Sequence, residues 1–301
     1  MPTTQPTVLI TGANGLVASA LLPALIAAGT CRVLALTSDR VRCEENNVDL
    51  LARGLQVLTL ADPPGAVDCV VHLAGEPVAA KMLTKARFAA IAGSRVAYLH
   101  RLQEYLRGSG VRYFIQASST DIYRDASTPV TELDNLDDSE LAKICISQEF
   151  TARALFEGQH TTVAVVRLGI VLSRHAILVR ALQNFLPIRI IGFRNYLPYV
   201  ALHDVVQALM FLLEREAGGI FNVASPDFLT FDELTGCINH RTIFGLRLPL
   251  PAFLFRLGDR RMQMLLTHKQ VTPRHLSELG FAFGIDTRDK LRDYLRDDPA
   301  R

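Results

Sequence analysis

Gly12, Gly15 and Ala18 stand three residues apart in the stretch VLITGANGLVASALLPAL, between one apolar run and another. Glycine at the first positions permits a tight turn and lets the backbone approach a pyrophosphate closely. A helix opening near Gly15 aims its free N–H groups and the positive end of its dipole at phosphate oxygens. Ala18 is small enough for close helix–sheet packing. The chemistry this spacing suits is dinucleotide binding, with Thr11, Gly12, Asn14, Gly15 and Leu16 around the phosphates. A glycine-rich strand-to-helix turn kept only for tight packing has the same pattern. At the expected end of the next strand stand Thr37, Ser38, Asp39 and Arg40. Ser38 and Arg40 suit the 2′-phosphate of NADP, whereas Asp39 turned inward suits the ribose hydroxyls of NAD. The balance leans to NADP, with NAD open.

Such a turn needs a strand before it and a helix after it, and the hydrophobic pattern predicts both: a strand at 7–10 and a helix at 16–28 closed by Gly29. Further strands are predicted at 32–37, 56–60, 69–74, 111–117 and 162–168, with helices from Asp39, over about 84–107 and over about 138–157. Strands alternating with helices at this spacing argue for a parallel sheet covered on both faces. Residues 118–138 are rich in Ser, Thr, Asp and Pro and read as a loop beyond a strand's carboxyl end, where open α/β sheets bind ligands. Beyond Ser173 the pattern is less regular: a helix to Phe185, a strand at 188–191, a helix at 204–215 and a tail of short helices among Pro249, Pro251 and Pro273. The reading is an α/β fold: a Rossmann-like, doubly wound parallel sheet over residues 1–173, and a smaller C-terminal α+β lobe over 174–301. The boundary is approximate because the chain interleaves.

Composition narrows the function classes. A chain of 301 residues that is 49% hydrophobic with net charge +2 is an ordinary globular protein. Its charges are interspersed and give no basic face for nucleic acid; Arg256, Arg260 and Arg261 read as a solvated face. The apolar stretch 8–29 is broken by Gly12, Asn14, Gly15 and Pro23, which argues against a membrane span. The start lacks a cationic segment, and the five cysteines form no C-x-x-C pair and no metal-ligand spacing. The expectation is a cytoplasmic protein with reduced thiols, no metal and a small-molecule substrate.

TGANGLVA, VVHLAGEP (70–77), SSTDIY (118–123) and YVALHDVV (199–206) together resemble the extended short-chain dehydrogenase/reductase superfamily. The segments 73–96 and 265–283 are similar to the "epimerase family proteins" within it, so the resemblance covers nearly the whole chain. It implies that Leu73, Ala74 and Gly75 lie beside the cofactor, that Ser119 bonds the reacting substrate oxygen, and that Arg167 sits in a strand flanking the nicotinamide. In the 199–206 motif, His203 and Asp204 open a helix, and capping alone accounts for Asp204.

The superfamily's acid–base pair, Tyr-x-x-x-Lys on one helix face, lowers the phenol pKa with a lysine charge. No tyrosine here has lysine at the fourth position after it. With Glu149 set on the helix's usual glutamate, Leu141 takes the tyrosine place and Cys145 the lysine place. The epimerase-like group tends to carry Cys there too. This chain departs further, lacking tryptophan entirely, with Met82, Leu83, Gln148, Tyr199 and Val200 where the group carries it. Tyr123 is the best replacement acid–base, against the alternative of a ring packed under the loop. Asp121 is a possible general base; Lys143 falls two positions out of register, Ser139 four before it is a poor stand-in for a phenol, and Cys145 needs a nearby cation or base to become a nucleophile. His72 reads as structural, as does His203. Two functions stay open: an NADP-dependent oxidoreductase or epimerase acting on a small hydroxyl or carbonyl compound, and a dinucleotide-binding sensor or partner-binding protein without turnover.

Overall fold

The computed structural model describes residues 5–75, 84–158, 160–184, 188–191, 195–238, 248–251 and 266–297. Met82, Leu83, Glu76, Pro77, Phe185, Arg256, Arg260 and Arg261 lie outside these. The first half runs β1 (Thr7–Thr11), α1 (Leu16–Ala28), β2 (Arg32–Leu36), α2 (Arg40–Asn46), α3 (Val48–Ala52), β3 (Gln56–Leu58), β4 (Cys69–His72), α4 (Lys85–Tyr105), β5 (Tyr113–Ser119), α5 (Glu140–Phe156) and β6 (Thr162–Leu168). The rest runs β7 (Ile170–Leu172), α6 (Ile177–Asn184), β8 (Ile188–Ile191), β9 (Tyr196–Leu197), β10 (Tyr199–Ala201), α7 (Leu202–Arg215), β11 (Gly219–Val223), β12 (Leu229–Thr230), α8 (Phe231–Ile238), β13 (Leu248–Pro251), α9 (Arg274–Glu278) and α10 (Arg288–Asp297).

Seven strands form one parallel sheet in the order β3-β2-β1-β4-β5-β6-β11. Chain direction across the sheet reverses between β1 and β4, which opens a crevice at their carboxyl ends. The pleat sends Val8 and Ile10 to a core with Leu21, Leu22, Val205 and Leu209 of α1 and α7. Leu9 and Leu34 point the other way, to Leu99 and Leu102 of α4 and Ala152 and Phe156 of α5. Burial on both faces explains why these strands read as continuous apolar runs. Gly29, at φ +63°, ends α1 with its N–H on Leu25 O; Thr84 and Ser139 cap α4 and α5.

A second core gathers Leu172, Val179, Leu197, Tyr199, Phe231, Leu234, Leu291 and Leu295 from β7, α6, β9, β10, α8 and α10. Short pairs, β10 with β7, β9 with β12 and β8 with β13, accompany it. The chain crosses between the cores more than once. After β10 it returns to the sheet, where α7 covers α1 and β11 pairs along β6. A cut at residue 173 therefore separates α7 and β11 from the sheet they complete. β11 was not predicted: its glycines, Gly218 and Gly219, look like a turn, and its five residues include Asn222.

Asp204, buried in the first turn of α7, does not cap that helix as expected: the N-cap is Ala201, with no side-chain bond. Its carboxylate accepts the backbone N–H groups of Gly284 at 2.9 Å and Ile285 at 3.0 Å, fastening the tail to the sheet domain. Burial raises its pKa, and the two amides oppose that rise. Asp204→Ala leaves both amides without this acceptor and is expected to cost about 1–3 kcal/mol. Urea unfolding checks this; an unchanged midpoint would show that water replaces the carboxylate without loss.

Candidate functional site

The turn after β1 is closed by backbone contact. Gly12 has φ +69°, and a Cβ there would lie 2.8 Å from both N and Cα of Ala74. No other residue type fits between this turn and the loop after β4 without moving one of them. Gly15 N–H donates to Gly12 O at 2.8 Å, and Gly15 opens α1 with no side-chain cap and no acidic residue in the first turn. Leu16 reaches the second core, so the turn sits where the two cores meet. Asn14 donates through Nδ2 to Thr37 Oγ1 at 2.9 Å and to Asp39 O at 3.0 Å. Its Oδ1 is buried with no partner among the described residues.

Thr11 supports the turn from behind. Fully buried, its hydroxyl accepts the Ala74 N–H at 3.2 Å and lies 2.7 Å from His72 Nδ1. It positions the loop rather than facing the crevice, which corrects its expected place among phosphate contacts. His72 stacks on Tyr98 with ring centroids 5.5 Å apart, a structural histidine as expected. Exposed His203, by contrast, does not belong to a core.

At the β2 end, Ser38 is exposed. The Asp39 side chain accepts the Arg42 N–H and so starts α2, instead of turning inward. The Arg40 guanidinium bonds the Asp62 carboxylate and Val57 O, so its expected reach to a 2′-phosphate requires leaving Asp62.

Beside Leu73, Ala74 and Gly75 lies a cleft of about 170 Å³ whose wall includes Ser119, Asp121, Leu141, Cys145 and Arg95. Ser119 Oγ donates to Asp121 Oδ2 at 3.0 Å and accepts the Asp121 N–H at 3.1 Å. Both side chains are half-buried, so the cleft presents a hydroxyl already joined to a carboxylate. Asp121 is the carboxylate that accepts the Ser119 hydroxyl.

Tyr123 is not in this cleft. Its ring is fully buried; its hydroxyl donates to Asn222 Oδ1 at 2.7 Å and accepts from Arg167 Nη1 at 2.8 Å. Burial raises its pKa. The expected acid–base role is corrected to the packed ring. Arg167 is likewise buried at 3% exposure, its Nε and Nη2 on the two carboxylate oxygens of Glu149 at 3.0 and 2.8 Å. It cannot meet a cofactor from there and holds the loop instead. Burial pushes the Cys145 thiol up to about 12, leaving it neutral. Lys143 points to solvent.

A family model, the NAD dependent epimerase/dehydratase family, matches residues 8–224, from β1 through the end of β11. The chain belongs to this family. An epimerase family protein of Mycobacterium leprae is 27% identical over 303 residues, covering 98% of this chain and 97% of its own. The structure titled human epimerase family protein SDR39U1 (isoform2) with NADPH superposes with TM-score 0.80 at 19% identity, covering 97% of this chain and 99% of that one. A UDP-glucuronic acid 4-epimerase from Bacillus cereus in complex with NAD gives TM-score 0.72 at 17% identity, covering 96% and 98%. At such identities the structural likeness is one of fold. Among the described residues no helix is long and apolar enough to cross a membrane.

Two cations near the family's cleft escaped the sequence reading. Arg95 comes from α4, and Lys269, buried in the tail, brings Nζ to 3.5 Å from Asp121 O. Neither lies at a helical spacing from Ser119; only folding joins them, and the family likeness of their segments was the sole signal.

His72 makes the site sensitive to acid. Burial and the Arg95 charge hold its pKa at about 3, below the usual 6.5. Between these values the unfolded chain binds a proton that the folded protein does not. His72 thus contributes stability in full above about pH 6.5 and loses it as pH falls toward 3, at up to about 1.4 kcal/mol per pH unit. Urea unfolding at several pH values is expected to give a shallower acid slope for His72→Gln than for the wild type. Equal slopes would mean that His72 takes up its proton without unfolding.

Proposed function

We propose that the protein binds NADP(H) across the crevice and is an oxidoreductase or epimerase acting on a small hydroxyl or carbonyl compound. The observation that carries the reading is the seam between Gly12 and Ala74, which joins the turn before the uncapped α1 to the loop that lines one cleft with Ser119 and Asp121. A helix N-terminus with free amides and no competing carboxylate suits a pyrophosphate. Gly12, Asn14, Gly15 and Leu16 would line the phosphates, with Leu73, Ala74 and Gly75 along the cofactor's other edge. Asp39, held as the cap of α2, is not turned toward a ribose 2′-hydroxyl, which supports NADP; Ser38, and Arg40 once it exchanges Asp62 for phosphate, are its proposed partners. NADPH and NAD in the solved relatives agree with a nicotinamide dinucleotide of either kind.

Such a cofactor supplies a ring that gives or takes a hydride at a substrate carbon. The chain's residues handle the oxygen. In reduction Ser119 gives its hydroxyl hydrogen to the substrate oxygen and regains one from protonated Asp121; in oxidation the substrate hydroxyl proton passes to Ser119 Oγ while the Ser119 hydrogen moves to the Asp121 carboxylate. One observation favours turnover-free binding instead: α5 presents Leu141 and a neutral Cys145 to the cleft, and neither exchanges protons there.

The test is to denature purified protein, identify any released nucleotide by mass spectrometry, and then follow bound NADPH absorbance with a panel of small carbonyl compounds. NADPH binding with oxidation by one compound is expected, and Ser119→Ala and Asp121→Asn should each lower that turnover by about a hundredfold or more without changing NADPH affinity. Retained NADPH that no carbonyl oxidises selects the non-catalytic reading. Absence of nucleotide affinity removes both.

A further inference from the structure

Arg95 is the one cation among the described residues that line the cleft. It projects from α4 toward the α5 wall, and Nη1 donates to Gln148 Oε1 at 3.0 Å. Its other side lies against the backbone of the β4 loop: a Cβ on Gly75 would be 3.3 Å from Arg95 Cζ and Nη2. The guanidinium is thus held between Gly75 and the stretch of α5 that carries Cys145 and Gln148. That stretch has no cation directed to the cleft, since Lys143 is exposed.

The position along the crevice decides what the guanidinium can meet. The β2 side, with Ser38 and Arg40, belongs to the adenosine end of a dinucleotide lying across the Gly12 turn. The opposite end then falls on the β5 side, where Ser119, Asp121 and Arg95 stand. We propose that Arg95 binds the hydroxyl oxygens of the nicotinamide-side ribose, supplying from α4 the fixed positive charge that α5 lacks. This assignment rests on the dinucleotide reading above. A guanidinium keeps its charge at every working pH, and its planar fork offers parallel donors that match two neighbouring ribose oxygens. Contacts with Gln148 and the Gly75 backbone already orient the fork, so binding sacrifices little side-chain freedom. The Arg95 charge is also felt by Cys145, whose ionisation it favours against the larger opposing effect of burial. Gly75 acquires a role of its own: a Cβ there would press on the guanidinium and shift it by a few tenths of an ångström.

The experiment compares NADPH with 2′,5′-ADP, which carries the adenosine half alone, on the full chain. Arg95→Met is expected to weaken NADPH about tenfold or more while leaving 2′,5′-ADP unchanged, and Arg95→Lys to recover part of the loss. Gly75→Ala should produce a smaller loss of the same selectivity, and adding it to Arg95→Met should cost little more, because both act on one contact. If Arg95→Met does not fold, Gly75→Ala carries the test alone. Unchanged NADPH affinity, or equal weakening of both ligands, overturns the assignment. A wild type that binds neither ligand overturns the dinucleotide reading, and this assignment with it; one that binds both isolates the question to Arg95.

Discussion

The buried ion pair between Arg167 and Glu149 governs how the site is held. Two charges taken out of water are costly unless their geometry is good and their remaining donors and acceptors are satisfied. Here they are: two parallel N–H bonds join guanidinium to carboxylate, Ser118 donates to the same carboxylate, and Arg167 Nη1 reaches the Tyr123 hydroxyl. From Tyr123 the chain of bonds continues to Asn222 of β11, whose Nδ2 donates to Thr272 O and whose backbone N–H donates to Glu132. One network therefore ties β5, α5, β6, β11 and the tail beneath the loop that presents Ser119 and Asp121. The loop is polar and irregular, and its position comes from what lies under it.

The same network explains why polar residues in neighbouring positions serve different ends. Ser118 and Ser119 are adjacent on β5, yet the alternation of a strand sends the first toward Glu149 and the second toward Asp121. Tyr123, a few residues on, has turned under the loop. Chemistry here is assigned by direction and burial rather than by residue type. A phenol with its hydroxyl fully engaged is a strut, and a carboxylate two residues from a serine is its hydrogen-bond partner.

Much of the fold was legible in the sequence because both sheet faces are buried. Runs such as 69–74 and 162–168 had no polar face to disguise them, and Gly29 marked the end of α1. The glycine turn was legible because positive φ and a missing Cβ leave a compositional trace. β11 was not, since a short edge strand after paired glycines looks like a turn until β6 lies beside it. The site was legible only in part. Ser119 and the β4 loop sit in local motifs, whereas Arg95 and Lys269 reach it across tertiary space, where no local spacing announces them. Arg167 and Tyr123 were misplaced for the converse reason: their motif is local, but their direction depends on Glu149 and Asn222.

The tail's attachment also bears on the order in which the site can come into being. Lys269 touches the loop at Asp121, and the tail is fastened through Asp204 to Gly284 and Ile285. A chain made from its N-terminus has the glycine turn in hand early, with β1 and α1 already adjacent. Its seventh sheet strand arrives some two hundred residues later, and the segment that buttresses Asp121 later still. On the ribosome the glycine turn would therefore exist long before the strand and tail that buttress the Ser119–Asp121 loop. Contacts this distant in sequence also slow folding, since loop closure must precede their reward. A nascent chain of this kind would pass through a stage in which the glycine turn is formed while the Ser119–Asp121 loop still lacks its support.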